Sequence, residues 1–217
     1  MKDEKISNYV KLCEDWADKF MKMDQENLRK RVPELKEENG FLTLIHFGRK
    51  YGISLNDGSI CSMDGQREPD TTEMLNIYTL LGYAKEGAFF MNKWVPFADL
   101  RNARPFAPAY PDGETDVFGA TFSGHEKELR EAFGKLGGKE LPQGDVGYEI
   151  RAFECMPMRF FFWERDEEFE AQGNILFDYS ATDFNHVESA VSIADAGIKR
   201  LAELAGLPVR GKSFQMK

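Results

Sequence analysis

The sequence predicts an α+β fold: an antiparallel sheet of about five strands with helices packed on it. Three observations carry this. Apolar runs of strand length cluster in two regions, 41–63 and 146–163, instead of alternating with helices. Asp57-Gly58 stands between two such runs, a strong hairpin signal because tight hairpin turns need positive φ. Amphipathic helical patterns open and close the chain.

In order, residues 3–22 read as a helix. Ile6, Val10, Cys13, Ala17 and Phe20 recur at three- and four-residue steps. Asp24 reads as the N-cap of a second, shorter helix that ends near Pro33. The helical region 3–38 is expected to pack on the sheet. Phe41–Phe47 is apolar on both faces apart from Thr43 and His46, which suits a covered strand. Tyr51–Asn56 and Ser59–Met63 complete a meander. Asp70 and Glu73 have the spacing of a capping box, opening a buried helix that runs to about Tyr83.

Residues 85–112 are irregular, with five prolines or glycines spaced between Trp94, Phe97 and Phe106; Pro96–Leu100 reads as a helical turn. Residues 113–136 read as two helical pieces, the second opened by Ser123 with Glu126 and stopped by Gly137-Gly138. Val146–Phe153 and Met158–Trp163 read as strands, separated by Met156-Pro157. After the acidic loop Glu164–Glu170 comes a short apolar run, Asn174–Phe177. Asn185, with Glu188, then caps a helix over 186–205, ended by Gly206 and Pro208. No repeat or linker divides 1–217, so one α+β domain is expected.

Composition narrows the function classes. A hydrophobic content of 42% with 30% charged residues is that of a soluble globular protein. Net charge −9 argues against a nucleic-acid footprint, which needs clustered Lys and Arg. Cys13, Cys61 and Cys155 are scattered, with no disulfide framework and no Cys-x-x-Cys pair. Free thiols, an acidic N-terminal segment and the lack of a membrane-length apolar run point to a cytoplasmic protein that uses neither membrane nor nucleic acid.

Catalytic motifs are not recognised. Ser59, Ser123 and Ser180 are outside any nucleophile elbow. His46, His125 and His186 lack zinc-ligand spacing, and no glycine-rich dinucleotide or P-loop pattern occurs. The best candidates are carboxylates. Asp166, Glu167 and Glu168 follow the apolar run ending at Trp163, and Asp178 follows the run ending at Phe177. If both segments reach one sheet edge, Asp166 and Asp178 converge and can hold a divalent cation or share a proton. The alternative is that they cap backbone donors and face water. Arg159, inside an otherwise apolar strand, needs an acidic partner such as Glu149 or Asp178, or else anchors an anionic ligand. Trp94 and Trp163 either wall a pocket or pack in the core. The candidate ligand set is therefore Asp166, Glu168, Asp178, Arg159, Trp163 and Trp94, with Asp166 and Asp178 as candidate metal ligands.

Several strings resemble a known family: Lys93-Trp94-Val95-Pro96-Phe97 with Leu100, Pro142 with Gly144-Asp145, Phe162 to Phe169, and Ile175-Leu176-Phe177-Asp178. Together they are similar to the bacterial and archaeal domain-of-unknown-function family 3786. The resemblance covers nearly the whole chain and implies an anaerobic setting. Some family members carry an added cysteine-rich iron–sulfur domain. The three scattered cysteines of this chain cannot hold such a cluster, so an iron–sulfur role would come through a partner. Two functions are carried forward. One is an accessory or binding protein of anaerobic metabolism, with an iron–sulfur or other metabolic protein as its partner. The other is an enzyme or ligand-binding protein with a carboxylate–arginine–aromatic pocket around Asp166, Asp178 and Arg159.

Overall fold

The computed structural model describes residues 8–106 and 113–211. The expected helix start at 3–7, and Pro108 and Pro111 of the irregular stretch, lie outside the described residues. Helices α1 (Asn8–Phe20) and α2 (Gln25–Arg31) lead into strands β1 (Lys36–Glu38), β2 (Phe41–His46), β3 (Arg49–Ser54) and β4 (Ile60–Ser62). Helix α3 (Thr71–Tyr83), strand β5 (Trp94–Val95) and a 3-10 turn at Phe97–Asp99 follow. Helices α4 (Gly113–Phe122) and α5 (Glu126–Lys135) precede β6 (Lys139–Glu140), β7 (Val146–Phe153), β8 (Met156–Trp163) and β9 (Gln172–Asp178). Helices α6 (Ala181–Phe184) and α7 (Val187–Ala205) complete the order. Among the described residues, no helix is long and apolar enough to cross a membrane.

The α+β class holds, and the strands divide into two antiparallel sheets. One has the order β1-β2-β3-β4, the other β5-β9-β8-β7-β6. Within each strand-rich region consecutive strands pair with one another, and β5 joins the second sheet from a distant part of the chain by pairing with β9, so the two regions do not merge into one sheet. Asn39-Gly40 and Phe47-Gly48 are the two-residue hairpin turns, between the pairs Glu38–Phe41 and His46–Arg49. All four turn residues have positive φ. The Asp57-Gly58 turn differs from the expectation. Only Gly58 has positive φ there, and the loop closes through Ser54 N–H to Ser59 O at 2.8 Å and Gly58 N–H to Ser54 O at 2.9 Å.

Phe47 is a bulky residue at φ 42, a conformation that costs roughly 1–2 kcal/mol. Its surroundings compensate. Its N–H donates to Ala152 O at 3.0 Å, and its carbonyl accepts from Arg200 Nε at 3.3 Å. Its ring lies against Gly197 of α7, where a Cβ would stand 2.8 Å from the ring tip. Beside it, His46 stacks on Phe153 at 4.3 Å, with Nδ1 2.9 Å from Ala152 O. This corner joins the two sheets.

The inner face of the five-stranded sheet carries Val146, Ile150, Ala152, Met158, Phe160, Phe162, Ile175 and Phe177, all buried. Phe118 of α4 meets Phe160 and Phe162 edge-on, and Phe133 of α5 stacks on Tyr148 at 4.6 Å. Each fully buried Phe contributes about 1.5–3 kcal/mol of transfer free energy. The capping box at Asp70 and Glu73 forms with both of its bonds. Asp24 caps α2 as expected, accepting from Glu26 and Asn27 N–H, while the remaining two expected caps shift. Gly124, at φ 78, separates Ser123 from α5, whose N-cap is His125. His186 caps α7 through Nδ1, while the Asn185 side chain accepts the His186 N–H.

Candidate functional site

Strand alternation decides which candidate residues share a face. Arg159 pairs across with Glu149 on one side and Leu176 on the other, Trp163 with Gln172, and Trp94 with Asp178. These residues stand on the outer face of the five-stranded sheet, opposite the phenylalanine core.

Arg159 has the acidic partner that its position demands. Nε donates to Glu149 Oε2 at 3.0 Å, and both side chains are 23% exposed. The guanidinium also lies 3.9 Å from the centre of the Trp94 ring. Its charge is thus engaged by a carboxylate and by an indole face. Trp94 is half-buried, with Nε1–H donating to Asn92 Oδ1 at 3.1 Å.

Asp178 is 2% exposed. Oδ1 accepts from the N–H groups of Met91 and Ser180, both at 3.0 Å, and from the Ser180 hydroxyl. Oδ2 accepts from Lys93 N–H at 2.9 Å. The carboxylate pins the segment carrying Trp94 to the end of β9.

Asp166 is exposed and caps its own loop. Oδ1 accepts the N–H groups of Glu168 and Phe169, each at 2.8 Å. Those two donors hold its carboxyl below the usual carboxylate range. Glu168 is exposed and meets Asp166 through its backbone N–H.

The expected convergence of Asp166 and Asp178 does not occur. Strands β8 and β9 are antiparallel neighbours, with Trp163 against Gln172 and Met158 against Phe177. The acid after Trp163 and the acid after Phe177 therefore emerge at opposite ends of the sheet, separated by roughly 20 Å at ~3.3 Å per residue. The two cannot share an ion or a proton. Among the described residues, no group of three or more His, Cys, Asp or Glu side chains is placed to hold a metal ion.

The structure does bring Trp163 and Asp166 together. They line a cleft of about 630 Å³ with Asp145, Glu164, Phe169 and Glu170, against the start of β9. Trp163 is 39% exposed and Phe169 60%. The loop is held in shape locally. Glu164 accepts from Ser123 Oγ at 3.0 Å, and its own N–H donates to Asp145 Oδ2 at 2.8 Å. Asp166 N–H donates to Phe169 O at 3.0 Å, closing the turn that turns Phe169 outward. Among the described residues, no Lys or Arg lines the cleft, and no carboxylate of residues 164–170 forms an ion pair. At the other end of the sheet, Phe89, Phe90 and Met91 are also exposed, and Phe90 meets Trp94 edge-on at 5.7 Å.

Sequence reasoning missed Phe169, Asp145 and Glu164 as site residues. Phe169 carried a usable signal, being an aromatic residue inside an otherwise charged loop. Asp145 carried none, since only the fold brings it to Glu164.

A family model described as domain of unknown function (DUF3786) matches residues 26–200, a span that contains both sheets and the acidic cleft. No curated protein and no solved structure matches the chain.

Proposed function

The chain belongs to the DUF3786 family, and from the site itself we propose that it is a binding protein whose acidic–aromatic cleft receives a basic segment of a protein partner. One observation supports this most. Two exposed rings, Trp163 and Phe169, stand in a cleft with four carboxylates and, among the described residues, no Lys or Arg in its lining. Exposed aromatics in such a setting serve as anchors on association, because burying them releases apolar surface from water. The carboxylates, hydrogen-bonded but without an ion-pair partner among the described residues, select a partner with Lys or Arg around an apolar contact, speeding encounter and fixing orientation. The family resemblance suggests the setting: an accessory role in anaerobic metabolism, with an iron–sulfur or other metabolic protein supplying the basic segment.

The alternative pocket of Asp166, Asp178 and Arg159 has less support. Asp178 is saturated by backbone and hydroxyl donors, Arg159 is paired with Glu149, and Asp166 lies at the other end of β9. The three side chains line no common cleft.

The test is calorimetric titration with a short peptide alternating Lys and Leu, and with its Glu-for-Lys counterpart. The basic peptide should bind with submillimolar affinity and the acidic one should not. Raising salt to 1 M shortens the screening length to about 3 Å and should weaken binding strongly. The double variant Trp163→Ser, Phe169→Ser should lose at least about tenfold, as expected of interface anchors. Equal binding of both peptides, or no loss in the double variant, would contradict the proposal.

A further inference from the structure

A second cavity, of about 260 Å³, opens between α1, α3 and the first turns of α7, and shares no residue with the acidic cleft. Trp16 and Tyr83 form its aromatic wall, ring centres 6.0 Å apart and nearly edge-on. Its polar lining comes from Asn76, Thr79, His186, Glu188, Ser189 and Ser192. Hydrogen-bond direction decides what this lining offers. Ser192 is 4% exposed, and its hydroxyl proton goes to Asn76 Oδ1 at 2.7 Å. The Asn76 amide nitrogen is turned inward, 3.4 Å from His46 Nε2 and 3.5 Å from Ser192 O. Ser192 is therefore left with open lone pairs. Ser189 Oγ has no hydrogen-bond partner among the described residues. Glu188 contributes a carboxylate, 3.6 Å from His186 Nδ1, which accepts the Glu188 N–H, and among the described residues neither Lys nor Arg lines the cavity.

We infer that this cavity binds a small organic amine, its ammonium group on Glu188, Ser189 and Ser192 and its apolar body against Trp16 and Tyr83. The lining is rich in acceptors and carries one carboxylate, which matches a donor-rich cation and rejects an anion. The volume equals that of roughly nine waters, so the ligand is a one-ring or short-chain amine. It lies just below the ~300–1,000 Å³ usual for larger ligands. This reading is independent of the partner cleft.

The probe is phenethylamine, with 3-phenylpropionate as its anionic counterpart, followed by calorimetry and by NMR of the Trp16 indole N–H. Phenethylamine should bind saturably and shift the Trp16 signal while leaving those of Trp94 and Trp163 unmoved. Glu188 is exposed, so Glu188→Gln should fold normally and lose about tenfold in affinity, the scale of one charge-assisted hydrogen bond. Ser189→Ala should lose less, in the same direction. No saturable binding, equal binding of 3-phenylpropionate, or unchanged affinity in both variants would overturn the inference.

Discussion

Asp166 and Asp178 look equivalent in the sequence, each ending an apolar run, and the structure predicts that they respond oppositely to the same change. Asp178→Asn replaces a carboxylate that accepts four hydrogen bonds in a 2% exposed site. The amide oxygen can keep the three donors on the Oδ1 side. Its NH₂ group then faces the Lys93 N–H, leaving a partly buried donor without its partner at about 1–3 kcal/mol. Losing the charge weakens the three remaining bonds as well, for a total of about 3 kcal/mol. In a chain of 217 residues that lowers the melting temperature by about 6–12 °C. Asp166→Asn should stay within about 0.5 kcal/mol of wild type, because Asn closes the same exposed turn. Chemical denaturation of the three proteins, with and without added Mg²⁺, is the assay. The cation should shift none of the midpoints. Equal losses in both variants, or an Asp178→Asn protein as stable as wild type, would refute the reasoning.

Three further predictions follow from the geometry. Arg159→Ala should cost about 1 kcal/mol, since the pair with Glu149 is partly exposed and solvent-screened; a double-mutant cycle with Glu149→Ala measures the coupling, and a loss above 3 kcal/mol would mean a buried pair. Gly58→Ala should cost about 2–4 kcal/mol, because its methyl would stand 2.7 Å from Ala17 O on top of the strain at φ 75, whereas Gly65→Ala meets open space and should cost only about 1 kcal/mol for the conformation, so similar losses would count against α1 packing on that turn. Burial lowers the pKa of His46 to about 4, against hydrogen bonding to Ala152 that raises it. The unfolded chain therefore binds the extra proton as pH falls from about 6.5 towards 4, and stability drops across that window. The stability advantage of wild type over His46→Gln should shrink across the same range; a constant difference would show that His46 does not titrate there.

Much of the fold was legible because its signals are local. The capping box at Asp70, the left-handed stop at Gly206 and the strands at 146–163 all depend on residues within a few positions of one another. The hairpins were harder. Asn39-Gly40 is a textual hairpin signal of the same strength as Asp57-Gly58, but with only Lys36–Glu38 before it no apolar alternation marks the first strand. Phe47-Gly48 resembles no turn at all, because the conformation of Phe47 is imposed by Ala152, Arg200 and Gly197, all remote in sequence. Arg159 found Glu149 because a charge inside an apolar strand needs a partner, and the cross-strand neighbour was the nearest acid. The Asp166–Asp178 expectation failed for a reason already present in the sequence. Consecutive strands joined by a short loop run antiparallel, so their C-terminal ends point apart. Asp145 and Glu164 became legible as cleft residues only once both sat at the same end of the sheet.

The most direct test of the partner cleft is a chemical-shift map of the protein titrated with the Lys–Leu peptide. The account predicts that the largest changes fall on the Trp163 indole and on the amides of Glu164, Phe169, Gly173 and Asn174, grow in fast exchange to saturation, and vanish with the Glu–Leu peptide. Changes centred elsewhere, or the same map with either peptide, would contradict it.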